Sequence, residues 1–229
     1  MRKGKLIVID STDGSGKATQ TELLIKHLKK DGYKVKVVDF PDYYSNFFGA
    51  FIGHCLSEQY YNFVKVHPKI ASVLYAADRF ESRDKIRKWL SAGNIVIANR
   101  YASANQIHQG GKITNTKKRE SFLKWLAEME YKVFKIPKPD AVFYLSVPIP
   151  IVLKLIRERN KNSKRNYLGN KKDVHEKDVN FLTNSRQSAL WLASTQKGWI
   201  KIECVKNGIL DTRENIHKEI YEKVKKILK

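Results

Sequence analysis

Residues 10–21 read "DSTDGSGKATQT", and the way this stretch folds decides the rest of the chain. Just before it, Lys5 to Asp10 ("KLIVID") is a short β-branched run; just after it, Leu23, Leu24 and Leu28 recur at helical spacing. Strand, Gly-containing loop and helix in that order aim several backbone N–H groups at one point beside a helix N-terminus, where an anion is stabilised. The stretch follows the phosphate-loop pattern G-x-x-x-x-G-K-[ST], with Gly14 and Gly16 for close backbone approach and Lys17 as a point charge for phosphates. Two letters depart from it. Ser11 stands where the pattern has Gly, which restricts the backbone if φ must be positive there. Ala18 lacks the hydroxyl that such loops commonly give to Mg2+.

Working outward, "DGYKVKVVDF" predicts a turn and a second strand over 34–40, and 68–90 carries a helical pattern. "SAGNIVIANRY" gives a Gly turn and a third strand at 94–98, and a helix over about 120–134 ends at the breaker "PKPD". A fourth strand at 141–147 leads into a helix to about Arg159, then into the basic stretch "NKNSKRNYLGNKKD" between two helical patterns. The last strand spans 199–204, followed by "KNG" and a Lys-rich closing helix. Alternating strands and helices imply an α/β domain in three layers, a five-stranded parallel sheet with helices on both faces. Ligands of such sheets bind at the carboxyl ends of the strands, where "DSTDGSGK", "DFPDYY" and "NRYASANQ" fall.

Length and composition fit one domain over 1–229: 42% of the residues are apolar, and no repeat or low-complexity linker interrupts them. The apolar run after the basic N-terminus ends at Asp10, too short for a secretory segment. The stretch Ala141 to Ile156 is broken by Ser146, Pro148, Pro150 and Lys154 and falls short of the roughly 20 residues a membrane span needs. No membrane association is expected, and Cys55 and Cys204, lacking metal-site spacing, read as ordinary thiols of a reducing, cytoplasmic compartment. A net charge of +21 favours polyanions, but no basic block exceeds a few residues, so a solvated Lys-rich surface is the simpler reading and specific nucleic-acid binding is not expected. His175, Glu176 and Asp178 crowd together in "KDVHEKD" as a helix opening would, rather than as a metal-ligand set.

Five motifs in order carry a resemblance over nearly the whole chain: "DGSGKATQT", "FPDYYS", "LYAADRFE", "NRYASANQ" with "QGG", and "PDAVFYLSV". Together they resemble the thymidylate kinases, P-loop nucleoside-monophosphate kinases that make dTDP from dTMP and ATP. The resemblance implies ATP on Asp13, Gly14, Ser15, Gly16, Lys17, Ala18 and Thr19, with Asp13 also contacting the sugar 3′-hydroxyl of dTMP. It implies Phe40 and Pro41 at the monophosphate pocket, Tyr75 stacked on thymine, Arg79 near the base, and Asn105 reading its edge with Gln109 nearby. Arg100 would touch the transferring phosphates, and Arg157 and Arg159 would close over ATP from a lid at about 157–178. Mg2+ would be held mainly through phosphates and water, with Asp10 as a candidate ligand. The "GKATQ" segment resembles the "GKGTQ" of adenylate kinases, which likewise lack a hydroxyl after the lysine.

Departures from the family pattern remain. Asn99 replaces the Asp of its D-R-Y motif, taking a carboxylate from the metal side. Tyr43 stands where relatives often carry an arginine for the dTMP phosphate, leaving that job to Arg100 or a Lys. The resemblance also implies a homodimer through helices, which Phe47, Phe48 and Phe51 could support, although aromatics at that spacing are more often core. The expected activity is phosphoryl transfer from ATP to dTMP for dTTP synthesis. Its competitors are a kinase for another nucleoside monophosphate or a nucleoside, and a non-catalytic nucleotide- or nucleic-acid-binding relative.

Overall fold

The computed structural model describes residues 3–57, 63–162 and 178–229. Its centre is β1 (Lys5–Asp10), whose alternate side chains are buried on opposite faces. Ile7 and Ile9 join a core with Ile97, Phe143 and Leu24, while Leu6 and Val8 join another with Val96, Val38 and Ile86. A strand buried on both sides must lie inside a covered sheet, and β1 pairs in parallel with β3 (Ile95–Asn99) and β4 (Ala141–Ser146). Outside these lie β2 (Val35–Asp39) and β5 (Trp199–Glu203), giving the order β2-β3-β1-β4-β5, all parallel. The five expected strands are present within a residue or so of their predicted ends.

One face is covered by α1 (Lys17–Lys30) and the closing helix. The closing helix, α9 (Arg213–Leu228), turns Ile216, Ile220, Val224 and Leu228 inward at four-residue steps. On the other face lie α3 (Pro68–Glu81), α4 (Arg83–Ser91), α6 (Thr116–Glu128) and α8 (Val179–Thr195). The long pattern over 68–90 is thus two helices, broken at Ser82, with Pro68 opening the first and His67 capping it through Lys69 N. Asn115 caps α6 and Asp178 caps α8 by accepting from Phe181 N at 2.9 Å, which accounts for one acidic residue of "KDVHEKD". His175 and Glu176 lie outside the described residues, as does most of the lid expected at 157–178.

Three elements were not anticipated. The first is α2 (Phe47–Leu56), which buries Ile52, Cys55 and Leu56 against α3 while Phe47 stays 76% exposed. The second is α5 (Ala102–Ala104), continued by a wide helical turn over Asn105–Gln109. The third is a hairpin of β6 (Val205–Lys206) and β7 (Ile209–Leu210), whose turn places Asn207 and Gly208 at positive φ. Helix α7 (Ile149–Asn162) follows β4. Among the described residues no helix is long and apolar enough to cross a membrane, and both cysteines are buried and free.

The α1–α9 contact contains a titratable weak point. His217 is buried, its ring tilted by 31° against that of His27 with centroids 4.4 Å apart, and neither of its ring nitrogens has a hydrogen-bond partner among the described residues. Burial, and secondarily His27, holds its pKa below the ordinary 6.5. The unfolded chain therefore takes up this proton first, and the stability this site contributes is lost as pH falls below about 6.5. The urea midpoint should drop between pH 7.5 and 5.5 by less in His217→Phe than in the parent; identical pH profiles would remove His217 from the account.

Candidate active site

The loop between β1 and α1 turns on two left-handed glycines, Gly14 at φ 77° and Gly16 at φ 83°. Gly14 is also packed: a Cβ there would lie 2.5 Å from Ile156 of α7, so both space and backbone require glycine. Ser11 is not strained, because the non-glycine residues at positive φ among those described are Arg100, Lys135 and Asn207. Its hydroxyl instead donates to Thr12 O at 2.8 Å and accepts from Lys17 Nζ at 3.2 Å. The ammonium of Lys17 also donates to Thr12 O at 3.0 Å, so it lies folded over its own loop.

Opposite the loop stands Arg100, immediately after β3, in a left-handed backbone conformation at φ 64° that is costly for a large side chain. Its N–H donates to Ile9 O at 3.0 Å, tying the bend to β1. One guanidinium nitrogen pairs with the Asp13 carboxylate and another lies 2.9 Å from His108 Nε2. Because guanidinium only donates, Nε2 accepts and Nδ1–H is left to donate to Ser185 Oγ at 3.1 Å. Burial alone would lower the Arg100 pKa; Asp13 and Asp10 more than offset this and hold it above its usual value. His108, which also stacks on Phe181, is thus a positioning residue for Arg100 that motif spacing did not single out.

These groups line one cleft of about 880 Å³, at the large end of ligand-pocket volumes. The whole loop from Asp13 to Thr19 faces it. At one end are Pro41, Tyr43, Tyr75, Asn105 and Gln109; at the other are Leu155, Arg159, Leu210, Asp211 and Arg213. Apart from Arg159, the second end was missed in the sequence because the two-residue strands of the hairpin are too short to show a pattern, and nothing in the closing helix marks its first turn as cleft wall. Gln20 of α1 ties that end together, donating to Arg213 O at 3.0 Å.

Not every expected residue is free to meet a ligand. Arg79 reaches the cleft wall but is only 2% exposed, and its guanidinium is paired with both oxygens of Glu130. Asn105 joins this network, donating to Glu130 Oε1 and to Ser72 O, each at 3.1 Å. Phe40 lies mostly in the core against Tyr101, joined to Pro41 by a cis peptide bond. Arg157 is on the exposed side of α7, whereas Arg159 lines the cleft. Asp10 is fully buried beneath the loop and is not in the cleft wall; its oxygens accept from Ser103 Oγ at 2.5 Å and Ser11 N at 2.9 Å. Its burial raises its pKa, against the pull of Arg100 and Lys17.

With this geometry in view, the likenesses to known proteins are consistent with one another. The sequence model of the family described as Thymidylate kinase matches residues 9–216. The thymidylate kinase of Plasmodium falciparum is 27% identical, over 99% of this chain and 92% of its own length. That of Halothermothrix orenii is 29% identical over 97% of each. The solved structure of the Candida albicans thymidylate kinase shares the fold, with a TM-score of 0.73 at 21% identity, over 99% of this chain and 94% of that one.

Deleting one partner of the Arg79–Glu130 pair should leave a buried charge uncompensated. Glu130→Ala is expected to cost about 3–5 kcal/mol in denaturant unfolding, and the double variant Arg79→Met/Glu130→Leu to recover most of it. A Glu130→Ala loss below about 1 kcal/mol would mean that water already reaches the pair.

Proposed function

The chain belongs to the thymidylate kinase family, enzymes that transfer phosphate to dTMP, and we propose that this cleft performs that transfer from ATP, giving dTDP and ADP. The reading is carried by the continuity of the cleft, with the Gly14–Lys17 loop lying between its two dissimilar ends. Two nucleotides entering from those ends would bring their phosphates together over Lys17. The second pKa of a phosphate monoester is about 6, so dTMP is already largely dianionic at neutral pH and needs no general base. The protein's work is therefore alignment and neutralisation of charge.

Lys17, Arg100 and Arg159 supply that neutralisation; Arg157, now outside the cleft, would join only if α7 or the segment after it moved. Asp13 holds Arg100 and would contact the acceptor sugar. Tyr75 is half-buried in the wall, with Phe63 5.7 Å behind it, and gives the thymine a surface to stack on. Gln109 has a buried carbonyl oxygen without a partner among the described residues, an unused acceptor suited to a base N–H. Asn105, its amide nitrogen already committed, offers its oxygen. Arg79 supports this wall through Glu130 rather than by reaching the base.

Mg2+ would accompany ATP. Among the described residues no group of three or more His, Cys, Asp or Glu could hold a metal; an Mg2+ bound through substrate phosphates ordinarily takes one or two carboxylates and keeps several waters. When bound, it would neutralise charge on the ATP phosphates. The enclosure of Asp10 by Ser103 and Ser11 argues against direct ligation there.

A homodimer is part of the proposal. Phe47, Phe51, Ile70 and Val73 are exposed on α2 and α3, more apolar surface than a monomer gains from showing.

Lys17→Ala should lower kcat/KM for dTMP by on the order of 10²–10³-fold with an unchanged unfolding midpoint. Arg159→Ala should cost less, and wild-type turnover in Lys17→Ala would refute the reading. An ADP-release assay with MgATP across dTMP, dUMP, dGMP and thymidine should single out dTMP. In sedimentation the parent should run at twice 26.6 kDa and Phe47→Glu at half the parent mass; a monomeric parent would end the dimer proposal.

A further inference from the structure

Asp39 and Asn99 are strand partners, paired in register at the carboxyl ends of β2 and β3, and both line the cleft. The Asn99 amide favours the charged form of the Asp39 carboxylate beside it, and Asn99 Oδ1 is buried with no partner among the described residues. A buried acceptor left unpaired is a local penalty, so the orientation is retained against it. The reverse orientation would set the amide oxygen against the Asp39 carboxylate.

Besides Glu158 on α7 and Asp211, which pairs with Lys206, three carboxylates lie in the phosphate loop or at the strand ends beside it, and their surroundings separate them. Asp13 is spent on Arg100, and Asp10 is sealed beneath the loop by Ser103 and Ser11. Asp39 is open to the cleft, has no ion pair among the described residues, and lies within the field of Arg100 and Lys17. A bare carboxylate facing polyphosphates repels them unless a cation lies between. Residue 99 is an amide and residue 18 an alanine, so neither can supply a negative or hydroxyl ligand.

We propose that Asp39, aimed by Asn99, is the carboxylate through which this chain receives the divalent cation of the bound nucleotide. The cation-facing charge is carried on β2, with its amide guide on β3. This rests on the reading of the cleft as an ATP site, and Mg2+ retains water readily, so the contact need not be direct.

The test uses ADP as probe, titrated calorimetrically with Mg2+ and with a chelator. The parent should bind Mg·ADP more tightly than metal-free ADP. In Asp39→Asn that preference should fall by about tenfold, the lower end of the loss on removing a supporting group of a metal site. Metal-free ADP should bind Asp39→Asn as well as the parent or better, since a negative charge has gone. The exchange variant Asp39→Asn/Asn99→Asp keeps one carboxylate beside one amide and should recover the preference. An unchanged preference in Asp39→Asn, or equal loss of both affinities, overturns the proposal. If Asp39→Asn does not fold, the exchange variant decides alone: retained preference supports the proposal and lost preference overturns it. The parent's turnover of dTMP is scored separately, so failure of the acceptor assignment would not be mistaken for failure at Asp39.

Discussion

Parallel pairing of β1 between β3 and β4 is the constraint on which the rest of the molecule depends. Because all five strands run the same way, every strand end that carries chemistry emerges on one edge. The register then fixes neighbours: Ile9 lies beside Asn99 and Phe143, and Asp39 beside Asn99. Side chains far apart in sequence meet in the cleft for that reason. The Arg100 backbone bond to Ile9 O extends the same pairing by one step and holds the strained bend against the loop.

Much of this was legible in the sequence because its signals are local. Short apolar runs with β-branched residues marked all five strands, and Gly14, Gly16 and Lys17 marked the loop through backbone geometry that only such residues supply easily. What stayed hidden was non-local. Nothing within "LYAADRFE" says that Arg79 will be neutralised by Glu130, 51 residues away. Nothing near "NRYASANQ" says that His108 will hold Arg100, since the wide turn over Asn105–Gln109 brings it round. Helix α2 was missed because its apolar residues point both inward and outward, which blurs the helical period.

The departures from the phosphate-loop pattern have a common physical sense. Ser11 does not need a left-handed backbone and uses its hydroxyl to hold Lys17. Ala18 carries no hydroxyl and Asn99 no negative charge, so a cation accompanying the phosphates would find less support from these two positions. The loop keeps its two left-handed glycines, Gly14 and Gly16, despite these departures.

The folded-over posture of Lys17 has a consequence for selectivity. Its ammonium is already solvated by Ser11 and Thr12 oxygens, so an arriving anion must replace bonds that exist rather than fill a vacancy. A small monovalent ion gains little from that exchange, whereas a polyphosphate that also engages several loop N–H groups gains much more. A lysine so held would act as a threshold, favouring ligands with enough charge and reach to displace its internal partners over small inorganic anions.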